Sequence, residues 1–420
     1  VEISQYPDIP NNEFTRDEIL SMLAKEMLDA AEQLPASQPE VGRIHKYIAL
    51  AYAAKIKLYQ AYQQDEITHA VTSINKELLR EVVSLCDQVT ASNRYGLLDD
   101  FQGLDLVTNE NGKESVFAIQ YSMNDGTESA GRINWSNLLN SPGGGSPYGG
   151  DGFFLPSQDL INAYQTDANG LPDFNYQSKS DYSWAVLNNG VYTLQNTTPN
   201  VDPRLDFVVG RPTITWKTYP DKPCEGWVRD KDTYGYNCAK RFWVSPESSD
   251  MFNGWPWGAS QLNWQIIRYA DILLWKAEAL IELNEGNGLE TARDLINQIR
   301  NRARNSAYVK DFNDHSKYAA NYLVNPYPAD VWNQDYARQA LRWETRLEKA
   351  LEGERFFDLV RWGIVETTMN KYITAESDNR IYYANAHFTG GKDEYYPVPN
   401  NQYGFSGGKY VQNPGYAPFN

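Results

Sequence analysis

A mainly α fold, a scaffold of helical hairpins interrupted by a large loop-rich insertion with short strands, is predicted by three observations. Residues 265 to 305 carry two runs of apolar residues at helical spacing, separated by a Gly-containing break. Similar periodicity occurs near the N-terminus and again from 340 to 363. Between them, from about Asp99 to Gly258, periodicity fades and Gly, Pro, Asn and aromatic residues take over.

Residues 1 to 12 are Pro-containing and read as an extended strap. Thr15 and Glu18 have capping-box spacing, and Ile19, Leu20, Leu23, Met27, Leu28 and Ala31 trace a helix that stops at Leu34-Pro35. A second pair is predicted from about Arg43 to Tyr62 and from about Lys76 to Thr90. In the insertion, Ser115 to Tyr121 reads as a strand, Asn140 to Gly152 as a loop, and Phe154 to Tyr164 as a short helix. The central hairpin follows. Its first helix presents Ile266, Ala270, Leu273, Leu274, Ala277, Leu280 and Ile281, and its second presents Leu289, Ala292, Leu295, Ile296, Ile299 and Ala303. Gly286 and Gly288 supply the turn, and the alanines permit close helix approach. The pair resembles a tetratricopeptide unit, which buries its apolar face only against neighbours. One more helix is predicted from Ala340 to Gly363, before a Gly- and Pro-laden tail. The organisation is thus scaffold hairpins over 1–98, a loop-rich aromatic ligand-binding region over 99–260, scaffold hairpins over 261–370 and an irregular tail over 371–420.

The net charge of −16 opposes partnership with nucleic acid or an anionic lipid surface and favours a neutral or cationic ligand. No apolar run approaches the 18 residues of a membrane span. The chain has 12 Trp, 29 Tyr and 15 Phe, many in polar, Gly-rich stretches where rings can face a ligand. Cys86, Cys224 and Cys238 lack metal-ligand spacing, and whether Cys224 joins Cys238 stays open. Val1 to Asn12 has no signal-peptide pattern.

Catalytic signatures are sparse: there is no G-x-S-x-G elbow, no phosphate-binding P-loop and no H-E-x-x-H. His45, His69, His315 and His387 are too scattered to propose a metal cluster, and Asp167-x-Asn169-Gly170 reads as a turn rather than a calcium loop. No cofactor or metal is predicted, and whether a calcium ion rigidifies a loop stays open. Glu344, Glu348, Glu352 and Glu354 are interleaved with Arg342, Arg346, Lys349, Arg355 and Arg361, the pattern of a solvated, salt-bridged helix face. An acid/base pair of the glycosidase kind remains an alternative.

The aromatic loops carry the stronger signal. Sugar rings stack their C–H faces on flat aromatics while hydroxyls bond to Asn, Asp, Gln and Arg. Trp135, Tyr148, Trp216, Trp227, Tyr234, Trp255 and Trp257 are the candidate ligand-binding residues, with Trp184, Tyr236 and Trp243 in the same region. For any single ring, a place in the core stands beside the ligand reading.

Five blocks resemble a known family, the SusD/RagB-like nutrient-binding lipoproteins of the Bacteroidetes outer membrane. They are DPRLDFVVGRP at 202 to 212, RYADILLWKAEALIELN with ARDLINQIRNRA at 268 to 303, LEGERFFDLVRWG at 351 to 363, YYPVPNN at 395 to 401 and YVQNPGY at 410 to 416. The resemblance implies a tetratricopeptide-like scaffold and a lipid-anchored protein at the cell surface that serves a SusC-like TonB-dependent transporter. It also implies non-catalytic capture of oligosaccharides, or in some members peptides. Family members begin with a signal peptide, a lipidated cysteine and a further helical part, so the resemblance implies a native N-terminal part upstream of Val1. The alternatives are a peptide ligand, a secreted all-helical glycoside hydrolase, and a helical scaffold that binds only proteins.

Overall fold

The computed structural model describes residues 2–128, 131–143, 145–183, 185–188, 191–194, 199–217, 226–235, 237–254 and 257–419. Its helices are α1 (Arg16–Gln33), α2 (Lys46–Ala61), α3 (Lys76–Thr90), α4 (Gln158–Ala163), α5 (Arg204–Val208), α6 (Lys231–Tyr234), α7 (Tyr269–Leu283), α8 (Gly288–Asn305), α9 (Gln334–Glu348), α10 (Arg355–Arg361), α11 (Val365–Glu376) and α12 (Asn400–Phe405). The long ones form a stack: α1 packs on α2, α2 on α3, α3 on α7, and α7 on both α8 and α9. The strands are short and pair two by two.

Local chemistry explains the helix ends. The Thr15 side chain accepts from the Glu18 N–H while the Glu18 carboxylate accepts from the Thr15 N–H, closing the capping box that opens α1. Asn284, at φ 51°, ends α7 in the left-handed conformation, and α8 starts four residues later. Ala270 and Ala277 of α7 meet Ala292 of α8 in one buried cluster with Leu273, Ile281, Ile296 and Ile299, the close approach that small side chains permit.

Several elements depart from the sequence reading, among them the tail read as irregular from 371 onward, which takes in the end of α11 (Val365–Glu376) and all of α12 (Asn400–Phe405). The N-terminal strap contains a short 3-10 helix, Ile3–Asp8. Trp264–Arg268 is a strand, not the start of α7, and pairs antiparallel with Ser115–Ile119. The insertion therefore leaves and returns through adjacent strands. Residues 202 to 210, in the stretch where helical periodicity fades, hold α5 followed by a two-residue strand, Val209–Gly210. The single helix predicted from Ala340 to Gly363 is two, α9 and α10, broken where Leu351 (φ 65°) and Gly353 (φ 86°) turn left-handed. The break redirects the chain so that α9 and α10 flank a concavity instead of continuing in line.

Candidate functional site

The insertion is locked to the scaffold by charges, and the locking side chains include the acidic run of α9. Glu344, Glu348, Lys349 and Arg361 are buried, which corrects the expectation of a solvated face. Arg204 grips Asp202 through two bonds, at 3.0 and 2.7 Å, and reaches Glu344 at 2.6 Å and Glu348 at 3.2 Å. Arg268 contacts Glu114 at 2.8 Å, Glu348 at 2.9 Å and Glu352 at 2.7 Å. Arg241 joins Asp105 to Glu352, and Arg302 joins Glu114 to Glu348. Burial would raise the Glu348 carboxyl, but Arg302, Arg268 and Arg204 overcome it and hold the group down at about 2. Glu344 is enclosed by Arg204 and Arg300, and Glu348 by Arg204, Arg268 and Arg302. Asp167 likewise spends one oxygen on the N–H groups of Asn169 and Leu171, an ordinary turn.

Three of the candidate ligand-binding rings are core residues, not ligand faces. Tyr148, Trp216 and Trp227 are each 1% exposed and cluster with buried Trp243. Trp216 Nε1–H donates to the Tyr148 hydroxyl at 2.8 Å, and that hydroxyl donates to the Val244 carbonyl at 2.7 Å. Trp216 and Trp227 meet edge to face at 5.1 Å, and Tyr148 tilts against Trp243 at 4.7 Å. A region with so little regular secondary structure needs large rings to fill its interior, which is the physical reason for the correction. Trp184, Tyr236 and Trp255 lie outside the described residues, as does Cys224. Cys86 is buried in the helical core.

Trp135 and Trp257 remain open to solvent, at 47% and 53% exposure, and Phe153, which the sequence reading missed, is the most open of the three at 72%. The loops that carry them are bonded to one another. Asn134 donates from its backbone to Ser260 at 2.7 Å and from its side chain to Leu262 at 3.0 Å, tying the Trp135 segment to the Trp257 segment. Phe153 donates its N–H to the Leu139 carbonyl at 3.1 Å. Gly149 stands so close to Trp257 that a Cβ there would sit 3.4 Å from the Trp257 Cβ, and a Cβ on Gly258 would lie 2.8 Å from the Tyr148 carbonyl. The exposed rim thus rests directly on the buried aromatic cluster. Arg229 and Asp151 pair at 2.9 Å beside it, both partly solvent-facing. Tyr234 is placed elsewhere, tilted against Tyr382 of the C-terminal tail at 6.2 Å. The only cue to Phe153 in the sequence was an apolar ring next to Gly152 in a polar loop.

A helical stack, an insertion clamped by buried ion pairs and a rim of solvent-facing rings agree with what comparison finds. The model of the SusD family matches residues 113–416. The chain belongs to the SusD family. No curated protein matches it. Among solved structures it is similar to a SusD superfamily protein from Bacteroides vulgatus, at 22% identity and TM-score 0.63, over 96% of this chain and 69% of the other. A SusD homolog from Bacteroides thetaiotaomicron matches at 17% identity and TM-score 0.65, over 95% and 70%. Surface glycan-binding protein A from the same organism, solved in complex with laminarihexaose, matches at 16% identity and TM-score 0.60, over 95% and 71%. The tetratricopeptide-like scaffold is accordingly the SusD-family fold. No helix among the described residues is long and apolar enough to cross a membrane.

Two further concavities mark the structure of this SusD-family chain. One, of about 510 Å³, sits beside His45, Tyr95 and Arg94. Another, of about 800 Å³, opens between α9, α10, α11 and the segment around α4. None of the described candidate rings lines either of them, although Phe154, next to Phe153, lines the second.

Proposed function

We propose that this chain captures a neutral oligosaccharide on the Trp135–Phe153–Trp257 rim, without altering it, and passes it to a SusC-like TonB-dependent transporter. The observation that carries this reading is a pair of indoles about half exposed on loops braced from beneath by a buried aromatic cluster. Rings held this way stack on a sugar face with little ordering cost, because their backbone is already fixed. Solved relatives include a laminarin-binding SusD-like protein and a surface glycan-binding protein complexed with laminarihexaose, which supports a glycan as the ligand. The same kinship supports a cell-surface position, held by a lipid anchor in the outer membrane.

Calorimetric titration with laminarin and other neutral polysaccharides, with peptide digests as a parallel arm, tests the proposal. Glycan binding that Trp257→Ala weakens is the expected result. Binding to peptides alone would turn the reading towards peptide import, and release of reducing ends would make the protein an enzyme.

A further inference from the structure

The cleft of about 800 Å³ is lined by more cations than carboxylates, the latter being Asp159 and Asp335. Four arginines of α9 and α10 line it. Two are committed: Arg338 to Glu282, through bonds of 2.7 and 2.9 Å, and Arg346 to Asp159 at 2.6 Å. Arg342 and Arg355 have no carboxylate partner among the described residues. The Arg355 Nη1 reaches only the Arg342 carbonyl, at 3.5 Å, and both guanidinium groups lie over the Trp362 ring, at 5.3 and 5.8 Å. Burial pulls the Arg355 guanidinium down to about 9, with Arg346 adding to the effect, and lowers Arg342 in the same direction. Lys371 adds a further cation to the wall. In a chain of net charge −16 with 54 acidic residues, two half-buried guanidinium groups facing a cavity without an ion pair carry a desolvation cost that the Trp362 ring and the more distant carboxylates Asp358 and Asp159 offset only in part.

We infer that this cleft is a second ligand site, taking a short oligosaccharide that carries a carboxylate, as in a hexuronic acid. The inference deepens the sugar-capture reading but does not use the rim. A guanidinium offers a planar fork matched to a carboxylate, and two of them face the same space. Trp343, Phe174 and Tyr176 form an aromatic wall suited to the C–H face of a sugar. Thr368 and Gln339 also line the cleft and supply hydroxyl and amide groups, a mixture that fits a sugar better than an acidic peptide. The volume is within the ordinary range for small-ligand sites. The overall negative field repels a polyanion at long range, which limits the ligand to a few carboxylates.

The test is calorimetric titration of the full chain with di- to tetragalacturonate, with the methyl esters of the same sugars, and with hexaglutamate. The acid sugars are expected to bind, and their esters to bind at least tenfold more weakly. Arg342→Gln and Arg355→Gln should each weaken the acid by tenfold or more, Arg355→Lys by less, and Trp257→Ala not at all. Because neither arginine has an ion-pair partner to lose, Arg355→Gln should melt at the same temperature as the parent or higher, which separates a ligand role from a structural one. Equal binding of acid and ester, loss on Trp257→Ala instead of on the arginine changes, or binding of hexaglutamate alone would overturn the inference. Neutral glycans binding while no galacturonate binds would overturn it and leave rim capture standing; rim failure with arginine-dependent galacturonate binding would do the reverse.

Discussion

The seam between insertion and scaffold and the outer rim of the insertion invert the usual distribution of residue types. At the seam, charged side chains are buried and paired; at the rim, aromatic side chains are exposed. Each inversion costs free energy, and the two are offset differently. Seam charges gain from one another, since Glu348 alone meets Arg204, Arg268 and Arg302. Exposed rim rings leave apolar surface in water, a cost that a stacked ligand would offset. Stability and binding should therefore separate cleanly between the two regions.

Removing the hub of the seam should have the largest effect. Glu348→Ala leaves three buried guanidinium groups short of an anion and is expected to cost about 3–5 kcal/mol of stability in urea denaturation. Wild-type stability in that variant would mean that the seam is not what clamps the insertion. Trp216→Ala empties the aromatic cluster and removes the donor to Tyr148; about 3 kcal/mol of stability should be lost, and glycan affinity with it, because the rim rests on that cluster. Trp257→Ala should do the opposite, weakening glycan binding by about 1–3 kcal/mol while leaving the melting temperature within a degree or two of the parent. A large fall in melting temperature would place Trp257 with the core rings instead.

The smallest effects are those of pH. Glu348 is held at about 2, below its unfolded value, so the stability it contributes is complete above that unfolded value and disappears as pH falls through about 2. Denaturation midpoints should decline steeply on that acid side in the parent and less steeply in Glu348→Ala. Glu110 behaves in reverse. Desolvation raises it to about 7, against the Asn263 N–H bond that lowers it and with nearby Asp250 adding to the rise. Its folded form keeps a proton that the unfolded chain releases, so stability falls as pH climbs towards 7 and is level above it. Glu110→Gln should flatten that slope.

Individual residues show where the sequence was readable. The Thr15 cap, the α7–α8 hairpin with its turn at Asn284 to Gly288, and the α3 span were legible because each depends on contacts within a few residues. The split between α9 and α10 was missed because Gly353 was the only break in an otherwise strong helical pattern, and Leu351 gave no warning of a positive φ. Trp264–Arg268 was assigned to a helix because its apolar residues continue the α7 spacing, while its partner strand lies about 150 residues away. Trp135 and Trp257 could not be told from Trp216 and Trp227 by residue type or by neighbouring sequence.

By itself, the sequence determined the helical hairpins, the loop-rich excursion between them and kinship with the SusD family, since periodicity, caps and ordered blocks are short-range properties written in consecutive residues. Tertiary structure alone decided which rings face water and which charges are buried. Glu348 is an anionic hub only because the fold brings it to Arg268 and Arg204, 80 and 144 residues away along the chain. Burial is a property of what packs against a residue, and that is settled by contacts between distant segments.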